Sequence, residues 1–201
     1  MPKAWIKAHK REYYYRKAKE EKYRSRASYK LLQVIEEYQF IKPGDVVVDL
    51  GAAPGGWMQV AQNTVGSKGF VLGIDINPVQ PFETQNFQTI LGDITDSKII
   101  EQIRKCLPRQ PDVVVSDVSP NISGIWEIDN ARQIDLARRS LEIAVSILKP
   151  RGNFFVKVFQ GEMTETFVRK VKRYFTFVKL FKPKASRPKS AELYVLAMNL
   201  K

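Results

Sequence analysis

VVVDLGAAPGGW, residues 46–57, joins an apolar strand to a helical segment through a turn that holds Gly51, Pro54, Gly55 and Gly56. The run VVVDL has no polar face apart from Asp49, the pattern of a strand covered on both sides. Glycine in the turn permits tight folding and close approach of backbone to a ligand. The turn is not GxGxxG, so the dinucleotide fingerprint is not met, and no GK[ST] follows to make a phosphate-binding Walker loop.

Outward from this turn the chain alternates. Apolar strand patterns fall at 46–50, 69–75, 87–91, 112–117, 153–159, 175–181 and 192–199. Helical spacing falls at 28–38 and at about 56–65, 97–106, 130–148 and 162–174. Such alternation with short connections predicts an α/β fold with a mainly parallel, seven-stranded sheet covered on both faces. The last two strands are separated only by the Pro-containing segment 182–190, so they are expected as an antiparallel pair at the sheet edge. With 201 residues and 44% hydrophobic content, the chain can bury one sizeable core. Residues 1–24 read as a basic, Tyr-rich leader without a clear apolar face, and 25–201 as a single domain.

The net charge is +12, and its distribution is informative. Residues 1–30 hold eleven Lys/Arg against three acids, residues 169–189 hold nine and none, and the remainder is mildly acidic. Basic stretches near both ends around an acidic middle suit a polyanionic partner such as RNA; the plainer alternative is solvated surface charge. One cysteine, Cys106, and one histidine, His9, exclude a disulfide framework and argue against a cysteine-rich metal site or a His-based triad, so no metal is expected. No apolar stretch approaches the roughly 20 residues that span a bilayer. The N-terminus lacks the hydrophobic segment of a secretory signal, and a cytoplasmic protein is expected.

Ligands of doubly wound sheets bind beyond the carboxyl ends of the strands. Those ends carry Asp49, Asp75, Asp93 and Asp117 in succession. A single strand-terminal Asp is commonly a cap or turn residue, but four after a Gly-rich turn point to a pocket. Asp75 is spaced to accept from ribose hydroxyls and Asp93 from the exocyclic amine of an adenine. A nucleoside cofactor without phosphates fits best, because the Gly51–Trp57 turn carries no lysine; S-adenosylmethionine meets that description, with NAD as the alternative.

Four charged residues fit their local patterns poorly: Lys30, Asp117, Lys157 and Glu192. Lys157 interrupts the apolar run NFFVKVF at 153–159, and burying an ammonium group is costly unless it is paired or used in chemistry. The plain alternatives are a solvated helix face for Lys30, a surface ion pair for Glu192 and a structural buried pair for Lys157.

RSRASYKL (24–31), VVVDLGAAPGGW (46–57), SDVSPNISG (116–124), NFFVKVFQGE (153–162) and SRPKSAELYVLA (186–197) together resemble the FtsJ/RrmJ family of RNA ribose 2′-O-methyltransferases. The resemblance runs in collinear order from about residue 24 to 200. It implies a Rossmann-like class I S-adenosylmethionine-dependent methyltransferase fold and a catalytic set at Lys30, Asp117, Lys157 and Glu192. It further implies cofactor contacts from Gly55, Trp57, Asp75, Asp93 and Asp117. Chemistry agrees. A ribose hydroxyl is a weak acid, so its attack on a sulfonium methyl is helped by removing its proton. A lysine can accept that proton only when neutral, a form favoured by apolar burial and neighbouring cations and opposed by Asp117 and Glu192.

Other acceptors fit less well. Base amino methylation typically uses an Asn/Asp-Pro-Pro-aromatic turn, where this chain has Asp-Val-Ser-Pro. Pyrimidine carbon methylation needs a nucleophilic thiolate, whereas Cys106 sits late in a helical pattern. Lys10, Arg11, Arg16, Lys17, Arg24, Arg26, Lys182, Lys184, Arg187 and Lys189 are the candidate RNA contacts, with leader tyrosines able to stack on bases or to pack onto the core. The loop Asn121–Trp126 is expected to wall the acceptor pocket. A short chain of this family looks most like the enzyme acting on a uridine ribose of 23S, large-subunit ribosomal RNA. The alternatives are a tRNA anticodon-loop ribose methyltransferase and a non-catalytic RNA-binding assembly factor.

Overall fold

The computed structural model describes residues 13–82, 85–187 and 190–201. Its elements run α1 (Ser28–Tyr38), β1 (Val46–Leu50), α2 (Gly56–Val65), β2 (Phe70–Asp75), β3 (Phe87–Leu91), α3 (Ile99–Cys106), β4 (Val113–Ser116), α4 (Trp126–Ile147), β5 (Asn153–Phe159), α5 (Glu162–Tyr174), β6 (Phe175–Phe181) and β7 (Glu192–Leu200). A further helical stretch, 13–20, precedes them.

The strands form one seven-stranded sheet in the order β3-β2-β1-β4-β5-β7-β6. Strands β1 to β5 are mutually parallel, and β7 runs antiparallel to both neighbours, β5 and β6. This is the Rossmann-like methyltransferase fold that the resemblance implies. The expected antiparallel pair closes one edge, with the reversed strand β7 inserted between β5 and β6. Burial explains the placement. Tyr194 to Ala197 of β7 are fully buried, whereas four of the seven positions of β6 are exposed, as suits an edge strand.

Each sheet face carries its own apolar layer. On one, Leu50, Ile74, Val114, Phe154 and Val156 meet Ile134, Leu141 and Ile147 of α4 and Phe167 of α5. On the other, Val47, Val71, Val115, Phe155 and Leu196 meet Leu31 and Val34 of α1 and Trp57, Met58 and Ala61 of α2. The strand boundaries lie within a residue of those read from the pattern. Helix α4 begins four residues earlier than its spacing suggests, because tertiary contacts support the extra turn: Trp126 stacks on Phe159, and Asp129 accepts hydrogen bonds from Ser123 and Gly124.

The described part of the leader packs on the domain. Ala18 is buried with Tyr29 and Ala185, and Tyr14 and Tyr23 pack against that cluster. Tyr13 and Tyr15 stay largely exposed.

Candidate active site

The site is built where the parallel strands end. After β1 the chain turns at Gly51 with φ +80°, and a Cβ there would lie 2.8 Å from Val118 Cγ2. Only glycine allows the turn to lie this close to the end of β4. Gly55, at φ +107°, is the N-cap of α2. Asp75, at the end of β2, accepts the Ala53 amide at 2.9 Å and the Asn77 amide at 2.7 Å, tying the glycine turn to the next strand. Asp93 accepts from the Thr95 amide and hydroxyl, both at 2.8 Å.

Between these ends lies an open cleft of about 640 Å³, lined by Gly51, Ala53, Asp75, Ile76, Asn77, Asp93, Asp117, Asn121, Arg132 and Leu136 among others. Its lining suits a nucleoside cofactor bearing a positive centre. Carboxylates at Asp75, Asp93 and Asp117 can serve hydroxyls, an amine and a cation, and the largely exposed Ile76 offers a flat apolar wall.

Gly55, Gly56 and Trp57 are placed differently. They are absent from that lining. The Trp57 ring is buried, stacked on Phe155 at 5.6 Å between ring centres, and its indole N–H donates to the Ala27 carbonyl at 2.8 Å. Helical periodicity explains the turn inward: 57, 58, 61 and 65 share the face of α2 that meets the sheet. Gly55 and Gly56 instead face the leader junction, where Arg24, Ser25 and Ser28 crowd against them. Arg24 straps the turn. Its guanidinium donates to the carbonyls of Pro54 (3.3 Å), Gln80 (2.6 Å) and Pro81 (2.6 Å) and lies 3.5 Å over the Phe82 ring.

At one end of the cleft the four misfit residues converge. Lys157 of β5 is 5% exposed and donates to the Asp117 carbonyl at 2.7 Å, with its Oδ1 at 3.3 Å. Lys30 of α1 is 8% exposed. It pairs with Glu192 Oε1 at 2.7 Å, lies 4.0 Å from Asp117 Oδ2, and contacts the Tyr194 hydroxyl at 3.1 Å. Strand register does the rest, setting Lys157 opposite Tyr194 and Phe159 opposite Glu192. Tyr194 is the member that motif reading missed. Its hydroxyl donates to Asp117 Oδ1 at 2.8 Å and so bridges the lysines' shared carboxylate to Lys30. The signal was present, since Glu192 and Tyr194 are two apart on one strand and face the same side.

Burial alone would raise the Asp117 carboxyl, but Lys157, Lys30 and the Tyr194 hydroxyl outweigh it and hold it below the usual range. Tyr194 is driven the other way, well above its ordinary value, by burial first and then by the charges of Asp117 and Glu192. Asp49 at the end of β1 is fully buried, and neither carboxyl oxygen has a hydrogen-bond partner of good geometry. Burial, then the charges of Asp117 and Asp75, push it well above the usual range.

Of the candidate RNA contacts, Lys10, Arg11 and Lys189 lie outside the described residues. Lys182, Lys184 and Arg187 are exposed on the loop before β7, with Lys182 donating to the Ser190 carbonyl at 2.7 Å. Arg26 and Arg187 flank a small pocket that also touches Lys30 and Glu192. Arg16 is exposed, while Lys17 pairs with Glu21 at 3.6 Å. The Asn121–Trp126 loop does stand beside the cleft through Asn121. Among the described residues no group of His, Cys, Asp or Glu is arranged to hold a metal, and no helix is long and apolar enough to cross a membrane.

A parallel sheet with a reversed β7, ending in a lysine-carboxylate cluster beside a nucleoside-sized cleft, defines a class I methyltransferase architecture. The FtsJ-like methyltransferase model matches residues 23–200, and the chain belongs to that family. It is 54% identical to the ribosomal RNA large subunit methyltransferase E of Methanocaldococcus jannaschii, over 97% of this chain and 81% of that one. Identity to the protein of the same name from Methanothermobacter thermautotrophicus is 45%, over 100% and 95%. A Plasmodium falciparum crystal structure, provisionally described as a ribosomal RNA methyltransferase, superposes with a TM-score of 0.79 at 26% identity, over 89% of this chain and 98% of that one.

Proposed function

We propose that this methyltransferase transfers a methyl group from S-adenosylmethionine to the 2′-hydroxyl of a uridine ribose in 23S, large-subunit ribosomal RNA, acting in the cytoplasm. The observation that carries the reading is the convergence of Lys30, Asp117, Lys157, Glu192 and Tyr194 at the end of the acidic cleft. The names of the curated relatives support the RNA class, and the basic loop at 182–187 adjoins the same end.

When bound, the cofactor supplies an electrophilic methyl on a cationic sulfur. Asp75 and Asp93 would hold its ribose and base, and Asp117 would stabilise the positive centre. Lys157, when uncharged, would take the proton of the attacking 2′-hydroxyl. Lys30 and Glu192 orient the hydroxyl, and Tyr194 holds Asp117 in place between the two lysines. Alignment of oxygen, methyl and sulfur supplies the remaining acceleration.

Incubation with labelled S-adenosylmethionine and either ribosomal subunits or tRNA, followed by mapping of the modified nucleotide, tests the substrate. Label at a large-subunit uridine 2′-oxygen is expected; label confined to tRNA would overturn the target. K157A should abolish turnover while leaving cofactor affinity nearly intact, and an active K157A enzyme would remove Lys157 from the proton-accepting role.

A further inference from the structure

Trp126 has no part in the chemistry described above, yet it is 45% exposed at the start of α4, after the loop that reaches the cleft at Asn121. A half-exposed aromatic ring can offer its π-face to a nucleic-acid base. This one is held in place. Its ring stacks on Phe159 with centres 6.0 Å apart and planes 25° from parallel. The loop leading to it is pinned by Asp129, which accepts from the Ser123 amide (2.8 Å), the Ser123 hydroxyl (2.8 Å) and the Gly124 amide (3.1 Å).

Its position relative to the reacting groups follows from strand geometry. Phe159 is two residues beyond Lys157 on β5, so alternation puts both on one face, about 7 Å apart along the strand. Phe159 also sits opposite Glu192. The Gln160 amide donates to the Ala191 carbonyl at 2.7 Å, which ties the end of β5 to the segment leading from the basic loop into β7. One face of the indole is therefore covered by a phenyl ring while the residue stays 45% exposed, on a strand end that also carries Lys157 and is tied to the chain just before β7.

Resting on the methyl-transfer reading above, we propose that Trp126, backed by Phe159, is the stacking platform for a base adjoining the target ribose. An unpaired base has a π-face wherever it lies in sequence, and its stacking on an aromatic side chain is a strong term in single-strand recognition. A protein partner fits less well, because the platform adjoins a cationic loop.

The test compares W126A, W126L and W126F in the full chain with large-subunit RNA. W126A and W126L should raise the KM for RNA roughly tenfold or more, with kcat at saturating RNA and cofactor affinity unchanged. W126F, which keeps a ring, should retain most of the affinity. In a W5F background the remaining tryptophans are Trp57, buried, and Trp126. Added RNA should quench the emission of that chain, and W126F in the same background should lose the quenching. Quenching without methyl transfer would support the platform while overturning the enzymatic reading. An active enzyme whose KM and quenching ignore Trp126 would overturn the platform alone. Loss confined to assembled subunits, with naked RNA bound normally, would assign the surface to a protein and also overturn it.

Discussion

Asp49 and Asp117 end two neighbouring strands, yet their surroundings drive their carboxyl groups in opposite directions. Asp117 has two ammonium groups and a phenol; Asp49 has burial and two other carboxylates. The stability consequences have opposite signs. A depressed group such as Asp117 contributes stability present above its unfolded value, near pH 4, and lost as pH falls through the folded value. A raised group such as Asp49 favours the fold below about pH 4, and that advantage drains away as pH climbs toward its folded value. D49N should therefore gain stability relative to the parent as pH rises from about 4, measured by urea denaturation; parallel pH profiles would show that Asp49 ionises normally in the fold. Y194F should keep the stack on Phe155, at 4.9 Å, but lose the bond to Asp117. It is expected to cost about 1–3 kcal/mol in the same measurement. Lys157 stood out in the sequence because a cation broke an apolar run. Tyr194 did not, because a tyrosine in a strand looks like ordinary packing until its hydroxyl partner is seen.

At the scale of elements, the strap at Arg24 changes what a basic residue in the leader means. Three carbonyls and the Phe82 ring occupy its guanidinium. R24A is expected to weaken cofactor affinity several-fold by freeing the glycine turn from the 80–82 segment, with a smaller effect on RNA. Calorimetric titration of each ligand checks this, and a loss confined to RNA would return Arg24 to the phosphate-binding group. Strand and helix positions were legible because periodicity of two and of 3.6 reports burial directly. The inward facing of the Trp57 ring was not, since it follows from helical phase rather than from the turn that precedes it. Nor was the slot of β7, because alternation identifies a strand without naming its neighbours.

Across the whole molecule, charge near the chain ends and acid around the cleft separate the surfaces for the two proposed ligands. RNA affinity should fall steeply with salt, and neutralising Lys182, Lys184 and Arg187 together should flatten the log–log slope by roughly two. An unchanged slope would mean that this loop stands away from phosphates. Domain class could be read from residues 46–57 and the strand alternation around them, because those features are local in the chain. The cluster of Lys30, Asp117, Lys157 and Glu192 showed in the sequence only as charges out of pattern, and the resemblance grouped them, since they come from α1, the end of β4, β5 and β7 and share no spacing rule. The insertion of β7 carries a further implication for biogenesis. During synthesis every other strand of the sheet emerges from the ribosome first, so β5 and β6 must accept a late arrival into a gap between them. Until it arrives, Lys30 and Lys157 have the Asp117 carboxylate between them and lack the counter-charge of Glu192. A nascent chain therefore holds the complete cluster only once the sheet closes, because the last strand made supplies both Glu192 and Tyr194.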